Sequence, residues 1–193
     1  MKIAISGKRN SGKDTVANLL TEELGKGATY RTAFAEPIKK IVQILYPDIS
    51  YDILWGPSHL RDSTIIPNLT DNGKPLTVRK LIQDIGKFGR KYNPDIWVNT
   101  TIQTCYNYLA SGAHAVISDC RFINELNKLK HNKFLIIRVN RNIIRDSGTD
   151  LDISETDLDE LNDSAYDYII NNDSDLVTLQ ENVSRMLKTL SNA

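Results

Sequence analysis

The strongest constraint on this chain sits at its start. Lys2-Ile3-Ala4-Ile5-Ser6 is a short apolar run, and Gly7-Lys8-Arg9-Asn10-Ser11-Gly12-Lys13 follows at once. Glycine, four residues, glycine and lysine match the first seven positions of the phosphate-binding loop G-x-x-x-x-G-K-[ST]. After Lys13, apolar residues recur at Val16, Leu19, Leu20 and Leu24, the stripe of a helix packed on a sheet, and Gly25 and Gly27 stop it. A loop of this kind between a buried strand and a helix dictates a parallel α/β fold and a cradle for an anion. The eighth position breaks the pattern. It holds Asp14, and the hydroxyl, Thr15, comes one residue late.

The rest of the chain repeats the alternation. Ala28–Phe34, Ala115–Asp119, Phe134–Val139 and Asp167–Asn171 read as further strands. Helices are expected from Glu36-Pro37 to Pro47, after Thr77 as cap, from Asp95 to about Leu109, and from Leu176 to Leu190. Residues 48–76 show turn signals and little periodicity, with Asp71-Asn72-Gly73-Lys74 as a tight turn. Residues 142–152 read as loop, and Ser154 with Asp157 resembles a capping box opening a short acidic helix. The expectation is a five-stranded parallel sheet with helices on both faces and a ligand site beyond the strands' C-terminal ends.

Composition bounds the function. At 193 residues the chain suits one domain that buries roughly 70% of its unfolded surface. Formal net charge is zero, so no strong field favours nucleic acid or an anionic membrane. No apolar run approaches a membrane span or a signal peptide, and Cys105 and Cys120 have neither metal nor disulfide spacing, which suggests the cytoplasm. His59, His114 and His131 have no fitting Asp or Ser partner.

The chemistry gathers at the loop and strand tips. The N–H groups of residues 8–14 are suited to wrap a phosphate, with Lys13 reaching the β- and γ-phosphates. Two readings of Asp14 are open. It holds magnesium through water, or it pairs with a nearby cation while Thr15 contacts phosphate. Asp119 ends a strand where a second acid organises magnesium, Arg121 follows over the same cleft, and Glu125 is placed to orient that guanidinium. Arginines recur at Arg138, Arg141 and Arg145, and the two in the loop after the strand, Arg141 and Arg145, offer charge to a transferring phosphoryl group. Arg61, Arg79 and Arg90 offer a fork for an acceptor phosphate, and Trp97 suits a base stack or a core. A phosphate acceptor is already ionised and needs no general base, whereas an alcohol acceptor would use Asp119 as one.

Together, Gly7–Ala17, Phe34-Ala35-Glu36-Pro37-Ile38-Lys39, Arg79–Gly86 running on to Val98, and Asp119-Cys120-Arg121-Phe122-Ile123-Asn124-Glu125 resemble bacteriophage deoxynucleoside monophosphate kinases. Asp167–Asn172 is similar to the last strand of many small P-loop kinases. The resemblance implies transfer of the ATP γ-phosphoryl group to a dNMP, with magnesium, in a cytoplasmic enzyme, the host's cytoplasm if it is phage-encoded. It implies one kinase domain: a core of 1–34, 111–140 and 160–193, an acceptor-binding lobe near 35–110 and a lid near 140–158. On the ATP side fall Gly7, Arg9, Asn10, Ser11, Gly12, Lys13, Asp14 and Thr15. On the acceptor side fall Ala35, Lys39, Arg61, Arg90, Trp97, Asp119, Arg121 and Glu125. Lys13, Arg121 and Arg141 are the catalytic candidates, and Asp14 and Asp119 the metal candidates. ATP and dNMP are the expected partners, with a homodimer possible and neither nucleic acid nor membrane involved. Family members often carry His-x-Ser-Glu where this chain has Asp152-Ile153-Ser154-Glu155, so no role for that histidine carries over. The alternatives are a P-loop kinase of another small acceptor, such as a phosphorylated metabolite or dephospho-coenzyme A, and a nucleotide switch. Against the switch, Asn127-Lys128-Leu129-Lys130 lacks the acid of a guanine-reading Asn-Lys-x-Asp.

Overall fold

Strand β1 (Lys2–Ser6) runs through the middle of a five-stranded, all-parallel sheet. Its neighbours are β5 (His114–Cys120) and β6 (Leu135–Asn140), with β2 (Thr29–Thr32) outside β5 and β7 (Tyr168–Asn171) outside β6, giving the order β2-β5-β1-β6-β7. The computed structural model describes residues 1–142, 157–158 and 160–191. Arg145 and the Asp152–Glu155 segment lie outside them, as does most of the expected lid. Among the described residues, no helix is long and apolar enough to cross a membrane.

The pleat sends alternate residues of each strand to opposite faces. On one face Ile3, Ile5, Val116, Ile137, Val139 and Ile170 form a core with Val16, Leu19 and Leu20 of α1 (Lys13–Glu23) and with Leu179, Val183 and Met186 of the closing helix (Leu176–Ser191). On the other face Ala4, Ile117 and Ile136 are buried, as are Leu126 and Leu129 of a helix at Ile123–His131. That helix was not foreseen in the sequence. The expected Ser154–Asp157 capping box falls partly outside the described residues. Asp157 itself accepts the Ile123 N–H at 2.7 Å, at the start of this helix.

Two compact units divide within the helix at Ile96–Leu109: residues 1–33 with 102–193, which hold the sheet, and residues 34–101. In the second unit α2 (Glu36–Leu45), α3 (Tyr51–Trp55), α4 (Ser58–Ser63) and α5 (Val78–Tyr92) surround a core of Val42, Leu54, Ile66 and Val78. The helix at Ile96–Leu109 is α6, that at Ile123–His131 α7 and the closing one α8. Residues 48–76 prove to be more than turns. They form α3, α4 and an antiparallel hairpin of β3 (Ile65–Asp71) and β4 (Lys74–Thr77). The hairpin turns at Asn72 (φ 50°) and Gly73 (φ 77°), where the sequence places its tight turn. Thr77 caps α5 by accepting the Lys80 N–H at 3.2 Å.

Candidate active site at the strand tips

The tip of β1 is where the sheet's connections part, with β5 on one side and β6 on the other. In open parallel sheets that crevice is the ligand site. The loop leaving β1 occupies it. A turn is closed by Ser11 N–H donating to Lys8 O at 3.1 Å, with Asn10 in its left-handed position (φ 64°), which asparagine tolerates. Gly12 caps α1 at φ 93°, ψ 11°, again left-handed. A Cβ there would lie 2.2 Å from Asn172 Nδ2, so glycine is required on both counts. Helix α1 begins at Lys13 with no side-chain cap, leaving its N-terminal dipole to the loop. Lys13, only 6% exposed, folds back to donate to Lys8 O at 3.2 Å. Ser11 is buried and its Oγ has no hydrogen-bond partner. Arg9 and Asn10 are exposed on the loop, and Thr15 is half-buried in the first turn of α1.

Asp14 faces outward and pairs with Arg31 of β2 at 3.1 Å, while the same guanidinium bonds Asn18. A protein cation therefore stands beside Asp14, one of the two arrangements expected for it. Nothing in the sequence pattern marked Arg31, because its relation to α1 depends on strand order.

Asp119 is the penultimate residue of β5, half-buried, and the next residue, Cys120, pairs with Ser6 beyond a one-residue shift in the β1–β5 register. Arg121 follows, half-buried, its N–H bonded to Glu125 Oε2 at 2.8 Å. The same oxygen takes the Phe122 N–H at 3.1 Å. Glu125 thus grips Arg121 through its main chain while capping α7, and it is 5% exposed rather than a surface acid. The Cys120 thiol is pushed well up by burial, then by the Glu125 and Asp119 carboxylates, with Arg138 opposing. Arg138 donates to Ser6 Oγ at 3.1 Å and to Asn140 Oδ1 at 3.2 Å, and it lies 5.6 Å from the Tyr166 ring. Arg141 is exposed just beyond β6.

The remaining candidates belong to the second unit. Ala35 is the N-cap of α2 and accepts the Lys39 N–H at 2.9 Å. Arg61 Nη1 donates to Leu54 O at 2.9 Å and Gly56 O at 3.0 Å, capping the end of α3. Arg79 ties α5 to α4 through Asp62 and Ser58. Trp97 is 7% exposed, and its Nε1–H donates to Gly86 O at 3.0 Å. A Cβ on Gly89 would meet the indole at 2.4 Å, so Trp97 is seated against α5 as a core residue of this unit. Arg90 is half-buried with its guanidinium beside Gly86.

A model of the deoxynucleotide monophosphate kinase family matches residues 56–183, about two thirds of the chain. The chain belongs to that family. As a deoxynucleotide monophosphate kinase it is an ATP-dependent phosphotransferase acting on nucleotides. The matched segment includes Asp119, Arg121 and Asn172 but begins after the phosphate loop, whose assignment stands on its own geometry. No curated protein matches the kinase in sequence. Among solved structures, the dephospho-CoA kinase of Campylobacter jejuni is similar in fold, with a TM-score of 0.57 over 98% of this chain and 96% of that one. Identity is 11%, so the likeness is one of architecture.

Proposed function

We propose that this kinase moves the γ-phosphoryl group of ATP onto a deoxynucleoside 5′-monophosphate at the tip of β1, with residues 34–101 serving as the acceptor-binding lobe. The observation that carries the proposal is the loop itself. Two left-handed residues and an uncapped helix start shape its backbone into an anion cradle beside Asp119 and Arg121.

The loop amides and Lys13 hold the ATP phosphates, and Lys13 leaves Lys8 O to reach them. Arg121, fixed by Glu125, and Arg141 neutralise charge on the group in flight. The acceptor phosphate is ionised already, so no side chain need remove a proton. Ala35, Lys39, Arg61 and Arg90 sit on the acceptor side, and Trp97 acts from within the lobe by setting α6 against α5.

The donor set fits magnesium. Asp119 and Asp14 supply the hard carboxylate oxygen atoms that magnesium prefers. That pattern suits an ion held by one or two carboxylates and by phosphate oxygens. Asp119 is the better placed, because it stands near the C-terminal end of β5, next to the strand that leads into the loop. Magnesium, when bound, screens the phosphate oxygens and the developing charge on the leaving group.

An ADP-release assay against dTMP, dGMP, dCMP, dAMP, the ribonucleotides and dephospho-coenzyme A tests the reading. At least one dNMP is expected to stimulate ADP formation above the others. Stimulation by dephospho-coenzyme A alone, or by no acceptor, overturns it.

A further inference from the structure

The phosphate loop is held by residues of β6 and by Asn172, just after β7. Asn172, at 8% exposure, donates from Nδ2 to the carbonyl oxygen of Ser11 at 2.9 Å. Its own N–H donates to Asn140 O at 2.8 Å, extending the β6–β7 ladder by one residue. Asn140 in turn accepts from Arg138, which also bonds Ser6. A polar chain therefore runs from Asn172 to both ends of the loop, Ser6 before Gly7 and Ser11 before Gly12.

The Ser11–Gly12 peptide is planar and trans, so its C=O and its N–H point in opposite directions. Anchoring the Ser11 carbonyl on Asn172 turns the Gly12 N–H away from Asn172. The same contact packs Asn172 Nδ2 against Gly12, where no Cβ fits. The left-handed pair Asn10 and Gly12 thereby has an external brace.

We infer that Asn172 is a positioning residue for the ATP phosphates, fixing the Ser11–Gly12 peptide so that the Gly12 N–H is presented to the anion before it arrives. This rests on the loop being the ATP site. It assigns a duty to the end of the sheet farthest from the Asp119 strand. The side chain acts through the loop and touches no reacting atom. Asn172 contributes preorganisation, which lowers the ordering cost of nucleotide binding.

The test uses Asn172→Asp, nearly isosteric but facing Ser11 O with a carboxylate, and Asn172→Ala. The main-chain bond to Asn140 is independent of the side chain, so the ladder is retained. By calorimetry with ADP, both variants are expected to bind roughly tenfold more weakly, the scale of one lost hydrogen bond. KM for ATP rises by a similar factor, while KM for the dNMP stays within about twofold. Unchanged ADP binding overturns the inference. So does an equal rise in both KM values, or failure of both variants to fold, since each marks a general structural role. If the wild type binds ADP but phosphorylates no dNMP, the acceptor assignment falls and the ADP comparison still decides for or against Asn172. A wild type that binds no ADP overturns both.

Discussion

Asp14 shows how one residue can be legible in type and opaque in role. The sequence marks it, because a carboxylate stands where the motif calls for a hydroxyl. Its role turns on Arg31, seventeen positions away and reached only once β2 is placed in the sheet. The pair is solvent-exposed, with Asp14 at 73% and Arg31 at 31%, so it contributes little stability. What it does is offset a negative charge close to a site built for anions. Lys13 is the opposite case. Its position in the motif is the ground for the role proposed for it, and it is buried with its ammonium on the Lys8 carbonyl. Lys13→Ala is expected to lower kcat by about 10²–10³-fold, the scale of removing one preorganised charge donor. Circular dichroism should show an unchanged fold. Turnover within threefold of wild type would mean that the loop is not the ATP site.

Among elements, the sequence shows what is locally periodic. The strands of the sheet announce themselves as short apolar runs, and α1, α2 and α5 as apolar stripes, α5 with Thr77 as its cap. The β3–β4 hairpin does not, because β3 buries little besides Ile66 and carries Pro67, Asn68 and Thr70, which mask any alternation. Helix α7 is also faint, since only Leu126 and Leu129 of its apolar residues are buried. Its start is secured by acids instead. Glu125 takes two N–H groups and Asp157 a third. Because Glu125 holds the Arg121 amide, the cap and the strand-tip site are one construction. Glu125→Ala is expected to cost about 1–2 kcal/mol in urea denaturation, as the loss of a cap does. It should also lower kcat by loosening Arg121. Glu125→Gln keeps an acceptor oxygen and should recover most of the stability. Equal losses in the two variants would show that charge, not capping, is what Glu125 supplies.

At the scale of the whole molecule, the number of strands in the parallel sheet was readable and their order was not. Order is set by pairing between segments far apart in sequence, and it decides what surrounds the loop. Only because β6 lies beside β1 does Arg138 reach Ser6, and only because the chain continues past β7 does Asn172 reach Ser11. The loop and Asp119 could thus be named from motif and strand ends, while the residues bracing the loop could not. The same burial that builds the sheet's faces makes the folded chain sensitive to alkali. Cys105 of α6 is fully buried, and burial pushes its thiol from an ordinary 9.0 up to about 12. Cys120 is raised as well. A folded pKa above the unfolded one means that unfolding releases a proton once the pH passes 9. This contribution to stability is complete below that pH and is lost as the pH rises toward 12. At pH 10 the Cys105 share of the loss is about 1.4 kcal/mol. Cys105→Ala lowers stability at every pH by opening a cavity, but its decline between pH 8 and pH 10 should be shallower than that of the wild type by this amount. Urea denaturation at the two pH values measures it. Parallel declines would show that Cys105 ionises as readily in the fold as out of it, against its complete burial.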